Sequence, residues 1–140
     1  METTVELIAG DFSNAGHASS KVKHILKQLN IPAPIIKRVV IALFEAEVNV
    51  VAHSSGGSLT CSISPDGIHM VVSDRGPGIP DLELAMSEGY STASPEVREM
   101  GYGAGMGLPN IKKHVDTLDI RTGSGEPTVL TMSVSFREDA

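Results

Sequence analysis

A stripe of polar residues interrupts the most apolar segment of the sequence. Glu45, Asn49 and His53 follow one another at intervals of four residues. In a helix each such interval rotates the side chain by only about 40°, so the three residues share one face. Burying an unpaired carboxylate is costly, so Glu45 needs a partner or a function. It could act as a general base beside an amide oxygen that ligates a metal ion.

The alternative is that this stripe is only the solvated edge of an apolar helix. Glu47 lies about 200° around the same helix from Glu45, and we expect it to be a surface residue.

Two glycine-containing segments further along the chain could bind a nucleotide. Asp74 comes directly after a predicted strand and is followed by Gly76 and Gly78. A carboxylate at a strand end can accept hydrogen bonds from an exocyclic amine, and glycine lets the backbone close around a planar ring. The alternative is an ordinary Gly–Pro turn after a strand.

The second segment runs from Gly101 to Gly107 and leads into a predicted helix. Glycines let backbone N–H groups approach an anion, and a helix N-terminus adds positive partial charge, so the segment suits a phosphate. The alternative is a flexible hinge. The sequence has no GxxxxGK[ST] motif, which excludes a P-loop, and no GxGxxG motif, which argues against a Rossmann site.

The elements that must position these residues follow from hydrophobic spacing and turn signals. Ser13 and Asn14 can cap the first helix. The predicted order is a strand over 4–9, a helix ending at 30, a helix from 32 to about 52, a hairpin over 59–72, a short helix over 81–87, a helix over 108–118 and a strand over 128–136. This order favours an α+β fold, a two-layer α/β sandwich with helices on one face of a mixed, mostly antiparallel sheet.

Length and composition restrict the class of protein. The 140 residues are 41% hydrophobic, enough for one core, and we expect a single domain over residues 1–140. Eleven basic against 17 acidic residues argue against direct nucleic-acid binding. The lone Cys61 excludes an internal disulfide. No apolar run approaches the ~20 residues that span a bilayer, and no export signal opens the sequence, so we expect a cytoplasmic protein without membrane contact.

The three motifs in this order resemble the N, G1 and G2 boxes of the ATP-binding superfamily of gyrase, Hsp90, histidine kinases and MutL. They are Glu45-x-x-x-Asn49-x-x-x-His53, Asp74-x-Gly76-x-Gly78 and Gly103-x-Gly105-x-Gly107-Leu108. The stretches 78–86, 89–92 and 105–109 are similar to the small stand-alone serine kinases of bacterial partner-switching systems, namely anti-sigma factors and stressosome switch kinases. About forty residues precede Glu45 and few follow Phe136, so we expect this stand-alone branch.

The resemblance implies a Bergerat-type fold that binds ATP and Mg²⁺. Glu45 would be the catalytic base, Asn49 would ligate Mg²⁺, and Asp74 would bind the adenine amino group. Residues 87–106 would form a mobile lid. The other nucleotide-binding residues that the resemblance implies are Gly76, Gly78, Ile79, Arg98, Gly103, Gly105, Gly107, Leu108 and Thr128. For Arg98 the alternative is a solvated lid arginine, and for His53 it is a packing residue.

The activity that the resemblance implies is that of a protein serine/threonine kinase. Its substrate would be a small STAS-type antagonist, and it would control the availability of a transcription factor. A sigma factor or another regulator is a further expected partner, and a homodimer is an expected assembly. One alternative is a nucleotide-gated anti-sigma or regulator-binding module with little or no catalysis. Another is an ATPase module of a larger complex.

Overall fold

The structure is a computed structural model that describes residues 1–53, 56–76, 107–122 and 127–137. Five strands in these residues form one sheet in the order β1-β2-β3-β5-β4, and every neighbouring pair is antiparallel. The strands are β1 (Glu2–Leu7), β2 (Gly57–Ser64), β3 (Gly67–Asp74), β4 (Thr117–Arg121) and β5 (Val129–Ser135). The helices are α1 (His17–Gln28), α2 (Ala33–His53) and α3 (Gly107–His114), with a 3₁₀ turn over Phe12–Asn14.

The helices cover one face of the sheet. Alternate residues of β2, β3 and β5 are buried, and α2 contacts β1, β3 and β5 as well as both other helices. The largest fully buried side chains come from both layers: Leu26, Leu43, Leu59, Ile68, Met70, Ile111 and Met132. The predicted two-layer α+β fold is therefore confirmed, with a sheet that is antiparallel throughout its described part rather than mixed. No helix within the described ranges is long and apolar enough to cross a bilayer.

The predicted hairpin is confirmed, and its register determines which residues lie beside Asp74. β2 and β3 pair from Ser64 opposite Gly67 to Gly57 opposite Asp74. A Cβ atom at Gly57 would lie 2.8 Å from the Asp74 Cα atom, so only glycine permits this close pairing. Because α2 ends at His53 and β2 begins at Gly57, the C-terminal end of α2 and Asp74 lie at the same end of the sheet.

The start of α1 differs from the prediction. Ser13 and Asn14 do not cap the helix, because both side chains donate to the Asp11 carboxylate. The N-cap residue is Gly16, which has no side chain that could accept a hydrogen bond from the helix. The first-turn N–H groups still need acceptors, as at any helix N-terminus. Glu47 of α2 provides them, which is the reason for its burial.

The prediction that Glu47 is a surface residue is therefore wrong. Only 2% of this residue is exposed. Its Oε2 atom accepts the Ala18 N–H and its Oε1 atom accepts the Ser19 N–H, each at 3.2 Å. The side chain opposite the polar stripe thus joins α2 to the positive end of α1.

The helix predicted over 108–118 is also shorter than expected, because α3 ends at His114 and Leu118 lies in β4. Arg38 of α2 donates from Nε to the His114 carbonyl oxygen at 3.0 Å, which satisfies a terminal carbonyl group of α3. Asp116 then accepts the Ser135 N–H, so the chain enters the sheet beside β5. The first strand lies over Glu2–Leu7, slightly earlier than predicted. The last strand is confirmed.

Candidate functional site

Glu45 and Asn49, two residues of the polar stripe of α2, are half-buried and lie one helical turn apart. Asn49 precedes the helix end at His53 by four residues, or about 6 Å of axial rise, and Glu45 precedes it by about 12 Å. The two side chains therefore lie in the half of α2 that leads towards the end of the sheet where Asp74 is found.

The Asp74 carboxylate is held in place by backbone groups. Its Oδ1 atom accepts the Gly76 N–H at 2.8 Å and the Thr128 N–H at 2.7 Å. The Asp74 N–H donates in turn to the Thr128 carbonyl oxygen at 2.9 Å. Within the described residues no donor reaches Oδ2, so this atom can accept a hydrogen bond from a ligand amine. The structure thus brings together Asp74 and Thr128, which are 54 positions apart in the sequence.

Gly76 and Thr128 complete this corner of the site. Gly76 is buried and has φ of 96°, a conformation that glycine adopts without the cost of a Cβ atom. It closes a turn in which the Asp74 side chain accepts the N–H two residues later. Thr128 is 7% exposed, and its hydroxyl lies 2.7 Å from that of Thr122, at the point where β4 ends.

Helix α3 begins at Gly107, so its first-turn N–H groups have no acceptor within the helix. The Leu108 side chain belongs to the hydrophobic core, and a contribution of this residue to ligand binding would come from its backbone. Asn110, in the same first turns, donates from Nδ2 to the Glu45 Oε1 atom at 3.4 Å. The start of α3 and the polar stripe of α2 are therefore in direct contact.

Several predicted site residues lie outside the described residues: Gly78, Ile79, Arg98, Gly103, Gly105 and the lid over 87–106. The predicted helix over 81–87 also lies there. In the described ranges no three histidine, cysteine, aspartate or glutamate side chains are grouped as a metal site. Mg²⁺ that accompanies a nucleotide takes most of its ligands from phosphate and water. A single amide oxygen from Asn49 is therefore compatible with such an ion.

Three residues have contacts that the sequence does not predict. The sequence predicts Glu47 at the surface, but it is buried, and it predicts no contact for Asn110 or Arg38. A usable signal existed for Glu47, since a second acid in an apolar helix also needs a partner. For Asn110 and Arg38 the contacts arise only from the packing of α3 on α2, which spacing along the chain does not reveal.

Comparison with known proteins identifies the family of this chain. Residues 9–134 match the histidine kinase-like ATPase domain family. The chain therefore belongs to that family.

The relatives that match this chain include a serine/threonine-protein kinase and two anti-sigma factors. The serine/threonine-protein kinase RsbT of Bacillus subtilis is 27% identical over 110 residues, which cover 76% of this chain and 77% of RsbT. The anti-sigma F factors of Thermoanaerobacter sp. and Thermoanaerobacter pseudethanolicus are each 30% identical over 131 residues, or 90% of this chain and 88% of the relative. These matches confirm the predicted resemblance.

Solved structures support the fold. The structure of the RsbU and RsbW domains of Rv1364c from Mycobacterium tuberculosis aligns with 96% of this chain at a TM-score of 0.64 and 16% identity. This chain spans only 32% of that larger one. The histidine kinase domain of the blue-light activated kinase EL346 from Erythrobacter litoralis aligns with 94% of this chain and 67% of its own length, at a TM-score of 0.57 and 15% identity.

Proposed function

We propose that this chain binds Mg-ATP and is a protein serine/threonine kinase of a partner-switching system. Its substrate is a serine of a small STAS-type antagonist protein, and phosphorylation of that partner sets the availability of a transcription factor. Membership of an ATPase domain family and the relation to the kinase RsbT support this activity. A protein with this role would act in the cytoplasm.

The observation that carries the proposal is the geometry of Asp74. Two backbone N–H groups fix the carboxylate through Oδ1, while Oδ2 has no donor within the described residues. An adenine amino group would donate to this second oxygen. Buried Thr128 and Gly76 would line the same pocket.

The phosphates would lie towards the N-terminus of α3, where the N–H groups after Gly107 can donate to anionic oxygens. Mg²⁺, when bound with the nucleotide, neutralises charge that develops on the transferring phosphoryl group. Asn49 would supply its protein ligand. Glu45 would accept the proton of the attacking serine hydroxyl as the new P–O bond forms and the bond to the leaving ADP breaks.

Titration calorimetry with Mg-ATP tests the nucleotide site. We expect saturable binding, and Asp74→Asn should weaken it roughly tenfold or more, because a neutral amide is a weaker acceptor than a carboxylate. Asp119→Asn is the control, since that carboxylate is 66% exposed in β4. Equal affinity of the wild type and Asp74→Asn would remove Asp74 from the site.

Transfer of labelled phosphate to a STAS-type protein tests the catalytic step. Glu45→Ala should keep ATP affinity and lower the transfer rate by roughly 10²- to 10⁴-fold, because it removes only the base. Glu2→Ala, an exposed change on β1, is the control. Normal transfer by Glu45→Ala would show that the base has been assigned wrongly.

A second candidate function is a nucleotide-gated module that sequesters a sigma factor with little catalysis. The two anti-sigma F factors, which match most of this chain, favour it. Capture of a sigma factor by the immobilised protein with and without Mg-ATP distinguishes the two functions. ATP-dependent capture without phosphotransfer would favour the module. Sedimentation of the free protein in solution tests the expected homodimer.

A further inference from the structure

Helix α3 is fastened to α2 at two points. Arg38 and Glu45 are seven residues apart on α2, so they lie on the same face and about 10 Å apart along the axis. Arg38 binds the His114 carbonyl oxygen at the end of α3, and Glu45 binds Asn110 one turn earlier. The two helices therefore run in opposite directions along this face.

The Arg38 contact belongs to a continuous polar network. Its Nη2 atom donates to Asp116 Oδ1 at 2.8 Å, and Asp116 Oδ2 accepts the Ser135 N–H at 2.6 Å. The His114 Nδ1 atom lies 2.7 Å from the Asn110 carbonyl oxygen, which can only accept, so this nitrogen donates. The C-terminal end of α3 is thus held to both α2 and the sheet.

The other end of α3 is fixed by apolar packing. Leu108 is 5% exposed and Ile111 is fully buried. These neighbours leave little freedom for the backbone of Asn110, whose half-buried side chain points at Glu45. A glutamate side chain has three rotatable bonds, and a fixed amide donor at Oε1 restricts the orientation of its carboxylate. Oε2 of Glu45 has no hydrogen-bond partner among the described residues.

We propose that Asn110 is a positioning residue, whose amide holds Oε1 of Glu45 so that Oε2 is left to accept the proton of the attacking hydroxyl. This role rests on the kinase function proposed above. In this role the Asn110 amide takes up no proton itself. It acts only through the carboxylate that it orients.

The test compares ATP affinity with the rate of phosphotransfer. Asn110→Leu removes the donor at similar volume, and we expect a roughly ten- to hundredfold lower kcat with an ATP Kd within about twofold of wild type. Asn110→Asp has nearly the size of asparagine and replaces the donor with a like charge. Asn110→Asp should lower kcat at least as much as Asn110→Leu does. It provides the test if Asn110→Leu does not fold. Lys112→Ala, an exposed change on the same helix, is the matched control and should leave both quantities unchanged.

A double-mutant cycle separates positioning of the base from a general effect on the fold. In a Glu45→Ala background, Asn110→Leu should cause no further loss of the residual single-turnover rate, because the group on which it acts is gone. If the fold-losses in rate of the two single substitutions multiply in the double variant, the inference is overturned. If both Asn110 variants keep the wild-type kcat, the positioning role of Asn110 is refuted and the proposed kinase function is left intact. A wild-type protein that neither binds nor turns over ATP would overturn both.

Discussion

The buried contact between Glu47 and α1 predicts a large loss of stability when its carboxylate is removed. In Glu47→Ala, the Ala18 and Ser19 N–H groups lose their acceptors in a position that is closed to solvent. A hydrogen bond to a charged group contributes about 1.5–3 kcal/mol. Two such bonds set an upper value of about 6 kcal/mol for the loss in free energy of unfolding. Partial entry of water into the vacated space reduces this loss. We expect a loss of about 3–5 kcal/mol.

Glu47→Gln separates the charge from the shape of this side chain. The glutamine oxygen can accept one N–H, but its amino group then faces the other N–H, so one of the two bonds is lost. We expect about half the effect of the alanine variant, or roughly 1.5–2.5 kcal/mol.

Urea denaturation at neutral pH, followed by circular dichroism, measures these losses. Glu6→Gln is the matched control, because its side chain is 69% exposed and pairs with Arg75 only at 3.5 Å. Its effect should stay below about 1 kcal/mol. Amide exchange of Ala18 and Ser19 should accelerate in both Glu47 variants. A loss below about 1 kcal/mol in Glu47→Ala, with unchanged exchange at these two amides, would refute the capping role.

Two further predictions concern titratable groups. The Ser135 N–H and then the Arg38 guanidinium lower the pKa of Asp116 from its ordinary 3.8. The ionised carboxylate therefore stabilises the folded protein above that value, and this stabilisation is lost as the pH falls through the lower pKa of the folded state. In Asp116→Asn, the free energy of unfolding should fall less steeply at acid pH than in the wild type. An equally steep fall would contradict this. Burial raises the pKa of the Cys61 thiol to about 12. Iodoacetamide at pH 8.5 should therefore modify Cys61 only in urea, and modification of the native protein, detected by mass spectrometry, would contradict it.

Elements with a strong local pattern could be predicted from the sequence. The apolar length of α2, the turn at Pro65–Gly67 and the alternation of β5 each specify one structure without help from the rest of the chain. The hairpin register also follows from the turn, and it places Gly57 opposite Asp74. The grouping of Asp74 with Thr128 was expected from the family resemblance, since their separation in sequence carries no local signal.

Elements whose ends depend on distant partners could not be predicted. The spacing of Ile111, Val115 and Leu118 fits a helix as well as a helix followed by a strand. The end of α3 at His114 depends on Arg38, which donates a hydrogen bond to the His114 carbonyl oxygen. Likewise, α1 begins where Glu47 can reach its N–H groups rather than at the residues with the best local capping propensity.

The strand order has a consequence for the folding and variation of this chain. β1, β2 and β3 lie within residues 1–74, and β4 and β5 are neighbours in sequence. Among the described residues, the β3–β5 ladder and the packing of α3 on α2 close the long connection between these two parts of the chain. Long-range pairing of this kind is slow to form, and we expect it to limit the folding rate. The entropic cost of closure grows by only about 0.6 kcal/mol for each doubling of loop length. The connection can therefore change in length over evolution while the ladder keeps Asp74 beside Thr128.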